Sequence, residues 1–300
     1  MTAPTTAQAT ASTRRRRPVV VGVDSGPESW LALAWAVDEA TRRRQSLHVI
    51  HARTSPDRAT PPGVDVRGER LTPTVLAAAV ARARELAPGI EVTAEATDES
   101  PVRALIDASL FACCVVVGAR GRGALVGALL GSTSAQLTVQ AACPVVVIHR
   151  PAEIGEGRPT VVVGVDGSAL SSEAIGYAFA RAADRGIPLT VVHACPPRAH
   201  DGYVPPWLTA DAEAAVEREQ LATAEEVAGW SEEFPDVRVR RHVVRGDPAA
   251  TLVDHSRGAE LLVVGSRGFG GVSGRLVGSV SQAVLGRAHC PVAVVQTRSR

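Results

Sequence analysis

The sequence contains no lysine, and this absence excludes several kinds of site at once. All 32 basic residues among the 300 are arginine, so a Walker-A lysine, a Schiff-base lysine and a lysine general base are ruled out. A phosphate group bound by this chain must therefore be held by backbone N–H groups, arginine, hydroxyls or a metal ion.

The sequence also has few aromatic residues and almost no net charge. Only 3% of the residues are aromatic, so the core must be built from Val, Leu, Ile and Ala. The 32 basic and 31 acidic residues nearly cancel, which argues against a general nucleic-acid-binding protein because such a protein needs a basic excess. The apolar share of 45% and the charged share of 21% are those of a globular protein.

Long apolar runs are missing as well. No run approaches the roughly 20 residues of a membrane span, and the apolar stretch after the four arginines at 14–17 ends at Asp24, which is too short for a secretory signal. We expect residues 1–17 to form a disordered tail and the chain to have no membrane partner. The five cysteines, an odd number without metal-ligand spacing, favour a reduced, cytoplasmic setting.

The chain is an internal duplication. The sequence Val-Val-Val-Gly-Val-Asp ends at Asp24 and again at Asp166, 142 residues later. The sequence Gly-Ala-Arg-Gly that begins at Gly118 recurs as Gly-Ser-Arg-Gly from Gly265, at an offset of 147, so the second copy is five residues longer in between. We predict a first domain at 18–150, a linker rich in proline and glycine at 151–157, and a second domain at 158–300.

Within each copy, short β-branched runs alternate with helical patterns. In the second copy, Val161–Val165 has the pattern of a strand buried on both faces, and residues 171–185 have helical spacing. A second helix is predicted from Asp211, and Asp247 followed by Pro248 indicates an N-cap with proline in the first turn. The order βαβαβαβαβ predicts parallel strands, right-handed crossovers and a three-layer α/β sandwich in each copy.

The predicted sheet places two sequence features at one edge. An aspartate ends the first strand of each copy, and a glycine-rich loop follows the fourth strand. In an open parallel sheet, ligands bind beyond the carboxyl ends of the strands, where the strand order reverses. The loop has the pattern Gly-x2-Gly-x9-Gly-Ser in both copies, with Gly118, Gly121, Gly131 and Ser132 in the first and Gly265, Gly268, Gly278 and Ser279 in the second.

This loop pattern suits a phosphate group. The first two glycines allow the backbone to approach a ligand closely, and the final Gly-Ser begins a helix whose free N–H groups attract an anion. The aspartates at the opposite lip, Asp24 and Asp166, suit a ribose or base group, or help to hold Mg²⁺. Hydroxyl donors and positive charge are added by Ser132, Ser134, Ser279, Ser281, Arg120, Arg122 and Arg267.

With these residues, the chain resembles the universal stress protein family. The likeness rests on Gly-Val-Asp in the first strand, the glycine pattern after the fourth and Cys-Pro-Val before the last, all present in both copies. It implies two tandem Rossmann-like domains of the adenine nucleotide alpha hydrolase-like type, each with a five-stranded parallel sheet in the order 3-2-1-4-5. It also implies that the last strands of the two copies pair into an internal pseudo-dimer, and that two chains form a homodimer on top of it.

The ATP-binding branch of that family implies one ATP in each domain, with or without Mg²⁺. That branch uses the first-strand aspartate. It implies that adenine is held by the backbone at the end of the second strand and that phosphates and ribose lie on the glycine loop. The residues implied in the first copy are Asp24, Ala52, Val117, Gly118, Arg120, Gly121, Gly131, Ser132, Thr133 and Ser134. Those implied in the second copy are Asp166, Ala194, Val264, Gly265, Arg267, Gly268, Gly278, Ser279, Val280 and Ser281.

Several of these residues also suit a structural role. The glycines fit ordinary turns, and Asp24 and Asp166 fit capping of the following helix. His51 and His193, at the end of the second strand, fit buried, hydrogen-bonded histidines better than a catalytic role. Packing is the preferred interpretation of Cys113 and Cys114, and a solvated face is the preferred position of the arginines at 42–44.

The two copies differ at the predicted site. The first has Ser25 and Gly26 after its aspartate where the second has Gly167 and Ser168, and the first has Ala119 where the second has Ser266. These changes keep the loop pattern, but the first copy loses the hydroxyl of Ser266 at Ala119 and has the serine after its aspartate shifted by one position. We therefore predict that the second copy holds the tighter site.

The leading interpretation is a regulatory protein, not an enzyme, that binds ATP and acts in a stress or dormancy response through protein partners or its oligomeric state. The sequence shows no carboxylate pair placed to activate water and no Ser/His/Asp set. Two alternatives stay open. One is a slow ATPase or phosphotransferase in which Asp24 or Asp166 orders a metal and a water, and the other is a non-nucleotide interaction module whose loops only shape the pseudo-dimer.

Overall fold

The structure is a computed structural model that describes residues 17–52, 68–121, 130–149, 159–168, 170–195, 206–268 and 278–296. Side chains are described from residue 74 onward in the second helix and from residue 217 onward in the sixth. The predicted linker at 151–157, Arg122 and all but the last residue of the predicted tail lie outside the described residues.

Strands and helices alternate along the described residues of both halves. The first half contains β1 (Val19–Gly22), α1 (Pro27–Arg42), β2 (Leu47–Ala52), α2 (Gly68–Leu86), β3 (Val92–Thr97), α3 (Pro101–Ser109), β4 (Cys114–Gly118), α4 (Ser132–Gln140) and β5 (Val145–Ile148). The second half contains β6 (Val161–Val165), α5 (Ser172–Arg185), β7 (Leu189–Cys195), α6 (Pro206–Glu233), β8 (Val239–Arg245), α7 (Pro248–His255), β9 (Leu261–Gly265), α8 (Ser279–Arg287) and β10 (Val292–Val295). The predicted α/β alternation is confirmed.

The strands of the described residues form a single sheet in the order β3-β2-β1-β4-β5-β10-β9-β6-β7-β8. Within each half the order is the expected 3-2-1-4-5 and the pairing is parallel. The halves join through β5 and β10, which pair antiparallel. The two five-stranded sheets are therefore continuous, and the seam between them lies at the last strand of each copy.

The β5–β10 seam is symmetric. Val146 pairs with Ala293, which stands 147 residues later and so holds the same position in the second copy. Side chains beyond the strands repeat this symmetry, because His149 Nε2 donates to the Leu285 carbonyl at 2.5 Å and Gln296 Nε2 donates to the Thr138 carbonyl at 3.4 Å. A pseudo-twofold axis through Val146 and Ala293 thus relates the two copies.

Each face of the sheet carries its own apolar core. Alternate side chains of a strand point to opposite faces. Val19 and Val21 belong to the core on the face covered by α1, α2, α5 and α6, and Val20 belongs to the core on the face covered by α3, α4, α7 and α8. Both cores contain residues from both halves. The result is the predicted three-layer arrangement. The prediction of a core without aromatic residues is wrong for the second half, where buried Phe179 stacks with Phe234, which in turn stacks with Trp230.

Helix ends follow their sequence signals, with one exception. The Asp247 carboxylate accepts a hydrogen bond from Ala250 N at 2.7 Å at the start of α7, and α5 ends at Gly186 in the left-handed region with a φ of 63°. The prediction that α6 begins at Asp211 is wrong, since α6 begins at Pro206. Proline is favoured in the first helical turn, so the proline-rich stretch before Asp211 supplies the helix start.

None of the helices in the described ranges combines the length and the apolarity that are needed to cross a membrane.

Candidate functional site

The aspartate after the first strand lies against the second glycine of the loop in both copies. A Cβ atom on Gly121 would lie 2.9 Å from Asp24 Oδ2, and a Cβ atom on Gly268 would overlap Asp166 Oδ2. A side chain at either glycine would displace the carboxylate from this position, so the close approach depends on glycine. The structure therefore brings together the two features that the sequence places at one edge of the sheet.

Each aspartate also orders the turn that follows its strand. Asp24 Oδ1 accepts a hydrogen bond from Gly26 N at 2.7 Å, and Asp166 Oδ1 accepts from Ser168 N at 3.0 Å and from Ser168 Oγ at 2.6 Å. This is an Asx-type turn. The N-cap residues are Gly26 for α1 and Ser171 for α5, so neither aspartate is a helix N-cap.

The helices after the glycine loops begin with uncapped N-termini. Gly131 and Gly278 are the N-cap residues of α4 and α8, and neither provides a side-chain hydrogen bond to the helix. The N–H of each donates instead to a loop carbonyl, at 2.7 Å for Gly131 and 2.9 Å for Gly278, which ties the helix start to the loop. The first-turn N–H groups of Ser132 and Ser279, which are exposed residues, are suited to an anion.

Two of the predicted loop serines donate hydrogen bonds from their hydroxyl groups to backbone carbonyls of the protein. Ser134 Oγ donates to the Gly118 carbonyl at 2.7 Å, and Ser281 Oγ donates to the Gly265 carbonyl at 2.6 Å. Both serines are buried. They hold the end of the fourth strand against the following helix, and what they retain for a ligand is their backbone N–H.

In the first copy, a carboxylate already occupies the loop. Glu28, in the first turn of α1, accepts hydrogen bonds from Arg120 N at 2.6 Å, from Arg120 Nε at 2.9 Å and from Arg120 Nη2 at 2.6 Å. Only 11% of the Glu28 side chain is exposed. Arg120, which the resemblance assigns to a phosphate, thus donates from both its backbone and its guanidinium to Glu28.

The second copy lacks this contact. Leu170 stands 142 residues after Glu28, at the same position of the repeat, and is 37% exposed. Arg267, the counterpart of Arg120, is exposed, and among the residues that the structure describes no carboxylate forms an ion pair with it. Sequence reasoning placed neither Glu28 nor Leu170 in the site, although aligning the two copies residue by residue exposes the difference.

The end of the second strand differs between the copies too. His51 Nδ1 donates to the Val23 carbonyl at 2.7 Å, as expected of a hydrogen-bonded histidine. His193 is buried, its Nδ1 has no partner among the described residues, and its Nε2 lies 3.5 Å from Glu219 Oε2. The next residues, Ala52 and Ala194, are both half-buried.

A second carboxylate that sequence reasoning missed lies at the second copy. Glu226, from α6, contacts Ser171 Oγ. Burial raises the pKa of Glu226 above its usual value, the bond from Ser171 opposes this, and the charge of nearby Asp166 adds to it. The corresponding position in the first copy, 147 residues earlier, is Ala79.

The remaining predicted residues take their expected places along the chain. Val117 and Val264 are buried near the ends of β4 and β9, and Thr133 and Val280 lie in the first turns of α4 and α8. Within the described ranges, no three His, Cys, Asp or Glu side chains are grouped so that they could hold a metal ion. All five cysteines are free thiols.

These observations define a class of protein with a duplicated glycine-rich loop and an uncapped helix N-terminus at the reversal point of a parallel sheet. The sequence profile of the Universal stress protein family matches residues 15–149 and 157–296. The chain therefore belongs to the universal stress protein family and carries two of its domains, which confirms the resemblance.

Curated relatives share the whole tandem arrangement. The chain is 39% identical over 293 residues to "Universal stress protein Rv2005c" of Mycobacterium tuberculosis, covering 94% of this chain and 98% of that one. It is 38% identical over 290 residues to "Universal stress protein Rv2623" of the same organism, covering 93% and 96%.

Solved structures confirm the fold. A universal stress protein from Archaeoglobus fulgidus DSM 4304 matches with a TM-score of 0.66 and 24% identity, covering 94% of this chain and 96% of that one. The functionally unknown protein PA1789 from Pseudomonas aeruginosa PAO1 matches with a TM-score of 0.67 and 19% identity, covering 94% and 93%.

Proposed function

We propose that this protein is a regulatory ATP-binding protein of the universal stress family, which acts in a stress or dormancy response through protein partners or its oligomeric state. The observation that carries the proposal is the contact between Asp166 and Gly268 beside the uncapped N-terminus of α8. This contact places the Asp166 carboxylate, which is an acceptor, beside Gly268 and the first-turn N–H groups of α8, which are donors. All of them lie at the edge of the sheet where ligands bind.

The residues of the second copy fit the parts of the nucleotide. The first-turn N–H groups of α8 and the exposed guanidinium of Arg267 suit the phosphates, since both provide donors without lysine. The Asp166 carboxylate suits a ribose hydroxyl because it accepts hydrogen bonds. The main chain at Ala194 suits the adenine, beside a His193 ring whose buried Nδ1 has no partner within the described part of the chain.

The proposal treats the protein as a binder and not as an enzyme. Hydrolysis needs a group that orients the attacking water. The carboxylates at the second copy already have structural partners, because Asp166 Oδ1 holds Ser168 and Glu226 contacts Ser171. The alternative is a slow ATPase in which the same aspartate, Asp166, orders a metal and the attacking water.

The purified full chain tests the proposal directly. Nucleotide released by heat and separated by chromatography is expected to be intact ATP, and titration with ATP is expected to show saturable binding that Asp166→Ala weakens. Asp236→Ala, on the α6–β8 connection, serves as the control. Multiple turnovers of free phosphate would favour the slow ATPase or phosphotransferase, and a nucleotide-free protein that ignores millimolar ATP would favour the non-nucleotide interaction module.

The oligomeric part of the proposal concerns a second level of pairing. The β5–β10 seam already joins the two copies, and we propose that two chains pair again as a homodimer in a reduced, cytoplasmic setting, which the free thiols suit. Light scattering after size-exclusion chromatography, with and without ATP, measures this. A monomer in both conditions would contradict the homodimer.

A further inference from the structure

Helix α1 starts three residues earlier in its copy than α5 does, although Ser29 and Ser171 make the same hydrogen bonds to the carbonyls of Gly26 and Ser168. Helix α1 begins at Pro27, whereas α5 begins at Ser172, which corresponds to Trp30 at the offset of 142. Proline is favoured at the first position of a helix, and the second copy has no proline at the matching position. The early start places Glu28 in the first turn of α1, whereas Leu170 precedes α5.

Glu28 packs closely against Gly118 at the end of β4. A Cβ atom on Gly118 would lie 3.0 Å from Glu28 Cβ and 3.1 Å from the Glu28 carbonyl oxygen. In the second copy, a Cβ atom on Gly265 would lie 4.0 Å from the Leu170 carbonyl oxygen. Glu28 thus belongs to a close contact between helix and loop that is looser in the second copy.

Glu28 binds the loop in the way that an anionic ligand would. Its carboxylate accepts three hydrogen bonds from Arg120, one from the backbone N–H and two from the guanidinium. Charge-assisted bonds of this forked kind are roughly twice as strong as neutral ones. A phosphate oxygen at this place would need the same donors. Because an N–H that donates to Glu28 is not available to a phosphate, the two anions compete.

We propose that Glu28 is a built-in competitor for the anionic part of the nucleotide, so that the chain binds one ATP tightly, at the second copy, and not two. The inference rests on the proposed ATP-binding function. The Leu170 side chain carries neither charge nor acceptor, and among the residues that the structure describes no other group accepts from the N–H or the guanidinium of Arg267. In the second copy these donors are therefore open to a ligand. Glu28 and Leu170 therefore determine which of the two sites is filled.

Exchanging the two residues tests this assignment. Calorimetric titration of the full chain with a non-hydrolysable ATP analogue is expected to give one tight site per chain for the wild type. Glu28→Leu is expected to give two sites whose affinities agree to within about tenfold. Leu170→Glu is expected to weaken the tight site by at least about tenfold.

Control variants separate competition from damage to the fold. Glu85→Leu removes an exposed carboxylate of α2 and is expected to leave one site. Glu28→Gln keeps an acceptor oxygen but not the charge, so its added site is expected to be weaker than that of Glu28→Leu. Circular dichroism of each variant checks that the sheet and helices are intact.

The outcomes distinguish this inference from the function on which it rests. A wild type that binds no analogue overturns the proposed function. A wild type that binds two analogues with similar affinity, or a folded Glu28→Leu that still binds only one, leaves ATP binding in place and overturns the role of Glu28.

Discussion

Glu39 and Arg181 hold the same position in the two copies, 142 residues apart, and their side chains form an ion pair with each other across the seam. Both are buried. A residue that contacts its own counterpart lies at the pseudo-twofold axis. Two identical first copies would place Glu39 against Glu39, so the opposite charges favour the pairing of unlike copies within one chain.

Further arginines complete a buried cluster around Glu39. Arg185 Nη2 donates to Glu39 Oε2 at 2.7 Å, and Arg185 Nε donates to Glu260 Oε1 at 2.7 Å. Arg43 lies 3.8 Å from Glu39 Oε1 with 21% of its side chain exposed. The prediction that the arginines at 42–44 share a solvated face is therefore wrong for Arg43, because dimer-like pairing of the copies buries one side of α1.

Removing Arg181 is expected to cost about 3–5 kcal/mol of unfolding free energy, because it leaves part of a buried carboxylate charge unpaired. Arg181→Met should show this loss in chemical denaturation. Arg42→Met is the matched control, since Arg42 forms an exposed pair with Asp38 and its loss should cost less than about 1 kcal/mol. Similar losses for the two variants would contradict the account.

The same cluster predicts how stability responds to acid. Burial tends to raise the pKa of Glu39, but the charges of Arg181 and Arg185 outweigh it and hold the pKa below its usual value of 4.5. A carboxyl whose pKa is lowered on folding stabilises the fold fully above the unfolded-state pKa and loses that contribution as the pH falls through the folded-state pKa.

The difference in unfolding free energy between wild type and Glu39→Gln is therefore expected to be constant near neutral pH and to shrink below about pH 4.5. Denaturation at a series of pH values measures it. A difference that grows on acidification would show that burial, and not the arginines, dominates the titration of Glu39.

Cys113 is expected to be the most readily alkylated of the five cysteines near neutral pH. A hydrogen bond with Cys114 lowers the pKa of Cys113 to about 7, with burial opposing and the charge of Arg43 assisting. The thiolate is the reactive form. The second copy has the corresponding arrangement with a carboxylate. There Glu260 holds the position of Cys113 and pairs with Arg185, which holds the position of Arg43.

Mass spectrometry of protein treated with iodoacetamide at a series of pH values from about 6 to about 9 measures the alkylation of each cysteine. Alkylation of Cys113 should rise through about pH 7, and Arg43→Met should shift the rise to higher pH. A rise only near the ordinary thiol pKa of 9.0, or no effect of the Arg43 substitution, would be the contrary result.

Adding one methyl group to the loop is expected to weaken nucleotide binding. In Gly268→Ala the new Cβ would overlap the Asp166 carboxylate, which must then leave its position, and affinity should fall by at least about tenfold. Gly229→Ala makes the same change in α6, where nothing lies within 4 Å of the new atom. Unchanged affinity in Gly268→Ala would mean that the loop and the aspartate do not share a ligand.

The order of elements was predictable because strand and helix periods alternate along the chain and repeat between copies. The buried run Val161–Val165 and the N-cap at Asp247 are local signals, so they appear in the structure as β6 and at the start of α7. The strand order came from the family resemblance and not from periodicity, since pairing partners are set by contacts between distant residues.

The parts of the site that were missed depend on such distant contacts. Glu28 meets Arg120 across 92 residues, and Glu226 meets Ser171 across 55. No spacing rule within one segment reports either pair. The duplication does contain the signal, because Leu170 and Ala79 mark the same positions as uncharged in the other copy.

A crystal structure of the full chain with a non-hydrolysable ATP analogue tests the central claim most directly. The account predicts a triphosphate held by the main-chain N–H groups beside Gly268 and Ser279, with Glu28 still bound to Arg120 in the first copy. An analogue at saturating concentration that leaves the second loop empty, or that binds elsewhere on the chain, would contradict it.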